Sequence, residues 1–255
     1  MKEERYFYAP DAAATSFLPD DEAMHAVRVL RLQAGDTIYL MDGKGKFYKA
    51  EITLATKKAC AYSILDTVCD EDCQTSRIHL AIAPTKNIDR IEWLAEKATE
   101  IGIASLTFLN CRFSERTKLR ADRIEKIVVS AAKQSRKTWM PSVNDMTDFS
   151  SYIHAGRAGL KYICHCYDTP PKDDLFSHIR SSLSAQRLSG TVSAVTPPAA
   201  PDITILIGPE GDFSIDEVNE ALACGFHSAT LGNSRLRTET AGLMAVATSD
   251  IALRS

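Results

Sequence analysis

The chain has 255 residues, 45% hydrophobic and 25% charged, with a formal net charge of −3. That composition fits a folded globular protein of one large or two smaller domains and excludes a disordered or fibrous chain; no apolar run approaches the ~20 residues a membrane helix needs. The charged start, MKEERYF, lacks the apolar core of a secretory leader, so the expected location is cytoplasmic.

Residues 1–72 read as β-rich. The segment DEAMHAVRVLRL (21–32) predicts a short helix ended by Gly35. TIYLM (37–41) and FYKAEI (47–52) are strand-like runs flanking Asp42-Gly43-Lys44-Gly45, a hairpin signal, and KACAYSIL (58–65) continues the pattern. The acidic, aperiodic CDEDCQTS (69–76) marks a boundary, which predicts domains over 1–72 and 73–255.

Strands then alternate with helices. IHLAIAP (78–84) predicts a strand. KNIDRIEWLAEKATEIG (86–102) predicts a helix with Ile88, Ile91, Leu94, Ala95, Ala98 and Ile101 on one face and Gly102 at its end. IASLTFL (103–109) reads as a buried strand, and LRADRIEKIVVSAAKQSRK (119–137) as a helix with the stripe Ile124, Ile127, Val128, Ala131 and Ala132. Trp93, beside the first stripe, belongs to the core or a dimer interface on this reading, whereas Trp139 has no assigned place. LKYICHCY (160–167) predicts another strand and KDDLFSHIRSSL (172–183) a helix, followed by a Ser/Ala/Pro-rich surface loop over 184–202. ITILI (203–207) is a strand, Ser214 and Glu217 form a capping box for IDEVNEALAC, Gly225 ends that helix, and HSATL (227–231) leads to a final loop and helix. This alternation predicts an α/β fold with a parallel sheet covered on both faces.

Residues 112–137 carry nine basic against three acidic side chains, whereas 200–255 carry three against eight. Such asymmetry is compatible with a polyanion docking on part of a mildly acidic protein, or with a solvated helix face. The seven cysteines are scattered with no C-x-x-C pair. Cys164-His165-Cys166 reads as a reduced strand with alternating side chains, because zinc sites use paired ligands at wider spacing; no metal is expected.

Ligands of such sheets gather at loops leaving the carboxyl ends of strands. Two loops qualify: Ile207-Gly208-Pro209-Glu210-Gly211, and Leu231-Gly232 through Thr240. Glycines at 208, 211 and 232 permit positive φ and close approach of backbone to a ligand, and the helix starts offer free N–H groups. The dinucleotide, P-loop, zincin and G-x-S-x-G signatures are missing.

KNIDRIEWLAEKATEIGI, AAKQSRK, IGPEGDFSIDE and LGNSRLRTETA together resemble, in order, the RsmE family of ribosomal RNA methyltransferases, and RYFY with HAVRVLRLQAGDTIYLMDGKG resembles the small barrel that precedes it there. The resemblance covers nearly the whole chain. It implies a SPOUT (alpha/beta-knot) domain with a C-terminal trefoil knot, a PUA-like β-barrel in front, a homodimer, and S-adenosylmethionine as cofactor. It further implies methyl transfer to N3 of one uridine in the 16S RNA of the small ribosomal subunit. Three departures stand out: Asp212 where the family usually has a second glycine, Ser234-Arg235 before Leu236, and the length of 184–202.

On that reading Ile207, Gly208, Pro209, Gly211, Leu231, Gly232 and Leu236 hold the cofactor by backbone groups and apolar walls. Arg237 stabilises the negative charge of the deprotonated uracil, and Thr238 orients it. Glu239 or Glu210 serves as base or holds the arginine; an ordinary carboxylate is a weak base, which favours the second role. Phosphate contacts are expected from Arg5, Arg28 and Arg31 in the barrel and from Lys86, Arg90, Arg112, Arg116, Arg123, Gln134 and Arg136 in the larger domain. The alternatives are a different SPOUT activity, such as ribose 2′-O methylation, and a non-catalytic RNA-binding assembly factor.

Overall fold

The structure, a computed structural model, describes residues 4–70, 76–189 and 200–255. The chain divides into two compact units. One comprises Met1–Thr75 with Val129–Met140, the other Ser76–Val128 with Pro141–Ser255.

The first unit holds a four-stranded sheet in the order β1-β2-β3-β4. Its strands are β1 (Tyr6–Tyr8), β2 (Thr37–Met41), β3 (Lys46–Ala55) and β4 (Cys60–Asp70). β1 runs parallel to β2, and the other pairs are antiparallel. The predicted hairpin forms, and one side chain shapes it: the Asp42 carboxylate accepts the N–H groups of Lys44 at 2.7 Å and Lys46 at 3.0 Å. Phe7, Ile38, Leu40, Ala50 and Ile52 fill the core beneath the sheet. The predicted helix over 21–32 is shorter. α1 (Asp20–Met24) passes into a π-helical turn over His25–Val29, and Arg31 breaks the helical path with φ 55 before Gly35 is reached.

The second unit is built on a seven-stranded parallel sheet: β5 (Ile78–Ile82), β6 (Ser105–Asn110), β7 (Ser142–Asp148), β8 (Leu160–Cys164), β9 (Asp173–Asp174), β10 (Ile203–Ile207) and β11 (His227–Thr230). Their order is β7-β6-β5-β10-β8-β11-β9. The helices are α2 (Ile88–Ile101), α3 (Ala121–Gln134), α4 (Phe149–Ile153), α5 (Leu175–Ser189), α6 (Ile215–Ala223) and α7 (Thr238–Arg254). α7 packs against α2, α5, β5 and β10, and α4 packs against α6. Ala81, Ala83, Leu109, Ile163 and Leu206 meet Phe149, Phe213 and Val218 in one apolar layer. Side chains alternate across a strand, so the opposite residues Ile82 and Ile207 belong to the other face. There Gly242 of α7 lies so close that an added Cβ would stand 3.1 Å from Ile82 and Leu94.

β7 and α4 were not foreseen, because SVNDMTD carries little apolar alternation and sits at the sheet edge. The loop expected over 184–202 begins later. Helix α5 runs on to Ser189, and 190–199 lie outside the described residues, as do 71–75 of the expected boundary segment. No helix among the described residues is long and apolar enough to cross a membrane.

Candidate active site

Ile207 at the end of β10 is in register with Cys164 of β8, and Cys164 with Ala229 of β11. Three loops therefore leave one row of the sheet: 208–214 after β10, 165–172 after β8 and 231–237 after β11. β8 separates the two strands whose loops were expected to be neighbours, so its own loop completes the site. A cavity of about 350 Å³ is lined by Ile207, Gly208, Pro209, Glu210, Leu236, Arg237, Thr238 and also by Cys164, Cys166, Asp212 and Arg235. A second, of about 580 Å³, is lined by Leu231, Gly232, Leu236, His165, Asp168 and Lys172, and shares Cys164, Cys166 and Arg235 with the first.

Two expected residues stand apart. Gly211 lines neither cavity; an added Cβ there would meet Phe113 at 3.3 Å. Glu239 follows Thr238 on α7, and one residue of helix turns the side chain by about 100°. It lines an adjoining hollow with Asp89, Arg90, Trp93 and Thr240, of which Arg90 also lines the first cavity, and its buried carboxylate sits 3.7 Å from Nε of Arg90. The arginine that Glu239 holds is thus Arg90, not Arg237. Glu210 is likewise committed: its Oε1 accepts the Lys86 backbone N–H at 2.9 Å.

Two local expectations need correction. Of Gly208, Gly211 and Gly232, only Gly232 uses left-handed backbone, with φ +115 and open space where a Cβ would stand. Gly208 is required by its own turn instead, since a Cβ would lie 3.0 Å from the Phe213 nitrogen. The start of α6 has part of its donor set taken up within the protein. Ser214 and Glu217 form the full capping box, and Glu217 also accepts the Arg112 N–H at 2.8 Å. α7 differs: Arg237 occupies its N-cap position yet makes no side-chain capping bond. Among the described residues the guanidinium groups of Arg237 and Arg235 have no hydrogen bond or ion pair, so two exposed cations face the cavity uncommitted.

Burial pushes the Cys164 thiol up to about 12 and also raises Cys166, with the Asp212 carboxylate adding to both. Both thiols stay protonated at neutral pH and are weak nucleophiles toward an electrophile in the cavity. Burial, then the Lys172 charge, lowers the pKa of His165, whose Nε2 lies 2.9 Å from the Ser228 hydroxyl.

The expected phosphate contacts are partly engaged within the protein. Lys86 pairs with Glu115, Arg112 with Asp216, Arg123 with Glu92 and Arg136 with Glu4, while Arg116 donates to the carbonyls of Thr85 and Lys86. Arg28, Arg31 and Gln134 are exposed and Arg5 is half-buried. Trp93 is 43% exposed, which removes it from the core; Trp139 is half-buried and pairs in a β-bridge with Lys44.

Arg235 lies inside one loop that the sequence pointed to and Asp212 directly after the other, whereas Cys164, His165, Cys166, Asp168 and Lys172 were missed as lining residues. The available signal was the end of strand 160–167, but only the strand order puts that end between the other two loops.

Comparison with known proteins adds an independent line. A family model described as an RNA methyltransferase domain matches residues 72–250, and one described as an RNA methyltransferase PUA domain matches 18–64. The ribosomal RNA small subunit methyltransferase E of Synechocystis sp. is 30% identical over 251 residues, which are 95% of this chain and 75% of that protein. A crystal structure described as a probable rRNA-methyltransferase from Porphyromonas gingivalis is 39% identical, with a TM-score of 0.80 and 95% of each chain covered. That of a ribosomal RNA small subunit methyltransferase E from Neisseria gonorrhoeae, bound to S-adenosyl methionine, is 27% identical, with a TM-score of 0.74 and 96% of each chain covered.

Proposed function

The chain belongs to the RNA methyltransferase family whose domain spans residues 72–250, and from that membership we infer that it is an S-adenosylmethionine-dependent methyltransferase acting on 16S ribosomal RNA, at N3 of one uridine. The observation that carries this reading is the convergence of three strand-end loops on one cavity with an uncommitted Arg237 at its mouth.

The residues present fit the cofactor. Cavities of about 350 and 580 Å³ that share a wall lie in the range of small-molecule sites. Leu231, Leu236 and Ile207 supply apolar surface for an adenine ring, and Gly232 leaves open the space a side chain would take. When bound, the cofactor supplies a methyl group already activated on a sulfonium. The chain's residues do the rest. The loops of Gly208–Glu210 and Leu231–Leu236 orient the donor against the base, and such positioning can account for roughly 7–11 kcal/mol of a barrier. Loss of the N3 proton to solvent water leaves negative charge on the uracil ring and its two carbonyl oxygens. The Arg237 guanidinium, with no partner among the described residues, holds that charge, and the buried Thr238 next to it in sequence orients it. Glu210 and Glu239 position Lys86 and Arg90 rather than take the proton.

Residues 1–72 form the PUA-like β-barrel that grips RNA, and 73–255 the SPOUT domain with its trefoil knot. Arg5, Arg28, Arg31, Arg90, Arg112, Arg116, Arg123, Gln134, Arg136 and Lys86 contact phosphate, and the enzyme works as a cytoplasmic homodimer. A base inside folded RNA must be unstacked to enter such a pocket, which favours an unpaired target.

Mass spectrometry of small-subunit RNA from a strain lacking this protein tests the assignment. One 3-methyluridine should disappear and return on complementation. Loss of a 2′-O-methyl group, or no change, overturns it.

A further inference from the structure

We propose that Asp212 is a positioning residue of the cofactor cavity: its carboxylate fastens the loop after β8 to the loop after β10 and so fixes the wall that both cavities share. The proposal rests on reading this cavity as the S-adenosylmethionine site.

Four observations meet at this side chain. Asp212 Oδ2 accepts the backbone N–H of Cys166 at 2.7 Å, across 46 residues of sequence. Its Oδ1 accepts the N–H of Phe213 at 2.8 Å. Its backbone adopts φ 68, closing a turn in which its own N–H reaches the Pro209 carbonyl at 2.9 Å. Finally, it lines the cavity beside Cys164, Cys166 and Arg235.

The left-handed backbone at 212 is where glycine costs nothing and most side chains are strained. Asp is among the few that tolerate it. The strain is offset by what the carboxylate does there. β8 and β10 are adjacent and hydrogen-bonded as far as Ile207 and Cys164. Beyond that row the ladder ends, and two side-chain bonds continue it: the Tyr167 hydroxyl donates to the Phe213 carbonyl at 2.8 Å, and Asp212 acts as a rung one step past the last backbone rung, at the Cys166 segment that lines the cavity. Both partners are backbone N–H groups, so the carboxylate is held rigidly with neither oxygen free to rotate away. The segment it captures, at Cys166, lines both cavities; moving it would widen the wall against which a ligand packs. Arg235 of the third loop lines both cavities together with this segment.

The test uses the full chain and two variants that suit left-handed backbone. D212N keeps the shape but presents an NH₂ to one of the two N–H donors, so only one bond survives; D212G removes the rung and relieves the backbone. Isothermal titration with S-adenosylmethionine and with S-adenosylhomocysteine, well below the melting temperature, gives Kd for folded protein. Both variants should bind both ligands about tenfold more weakly, the equivalent of one lost hydrogen bond to a charged group. Unchanged Kd in both variants, even with a lowered melting temperature, overturns the proposal, because Asp212 then serves folding alone. Weakening confined to S-adenosylmethionine also overturns it, since the carboxylate then acts as a charge contact to the sulfonium. If the unaltered protein binds neither ligand, it is the cofactor assignment itself that fails.

Discussion

Arg90 near the start of α2 and Glu239 in the first turn of α7 join two helices at the edge of the site: Nε lies 3.7 Å from Oε1, and the Glu239 side chain is 10% exposed. The other oxygen of Glu239 is buried with no partner among the described residues. Removing the guanidinium strands a buried charge. R90A should therefore lose about 1–3 kcal/mol of stability, and R90A/E239Q should recover part of it. Additive effects in this double-mutant cycle, read by denaturant unfolding, would show that the pair is not coupled.

Arg237 is expected to act on the transition state and not on cofactor binding. R237A should lower kcat by roughly 10²–10³-fold, the size seen when one preorganised donor is removed. Its Kd for S-adenosylmethionine should stay within a few-fold of the parent. Single-turnover transfer with small subunits as substrate is the measurement, and full activity in R237A would end the charge-stabilisation role.

Gly208 is expected to tolerate no side chain, for a reason the sequence did not show. A Cβ would sit 3.0 Å from the Phe213 nitrogen and 3.2 Å from the Asp212 carbonyl carbon, both backbone atoms that cannot swing aside. G208V should thus lower the melting temperature, in line with overpacking costs of about 1–3 kcal/mol, as well as weaken cofactor binding. Normal stability with blocked binding would instead point to a side chain that merely fills the ligand's path.

Stability should fall in mild acid. Burial is the largest cause lowering the pKa of both His79 and His165 in the fold. The unfolded chain then takes up these protons at a higher pH than the folded one, so stability is full above about 6.5 and declines as pH drops through that value toward the lower folded values. Melting temperatures from pH 8 to 5 should show this decline, and H165Q should make it shallower. A flat profile in the unaltered protein contradicts the lowered pKa of both rings.

Much of the site was legible where local chemistry dictates local shape. The box of Ser214 and Glu217 announced the start of α6, Gly102 (φ 128) the end of α2, and ITILI the strand β10. The two glycine-bearing loops were found because strand–loop–helix junctions carry their own signature. Glu239 was misplaced because a position one residue from Thr238 is adjacent in sequence but about 100° away on a helix. The lining role of Cys166 and Asp212 was illegible because their bond spans 46 residues.

The amino-acid sequence by itself determined the alternation of elements, the loops that bear the polar residues and, through its motifs, the family. Periodicity, capping and turn chemistry act over a few residues and can be read along the chain. Only the tertiary structure decided that β8 lies between β10 and β11, which brings a third loop into the cavity, and that α7 packs on α2, which pairs Glu239 with Arg90. Strand order is set by how the whole sheet buries its two faces, a collective property that no local stretch of residues encodes.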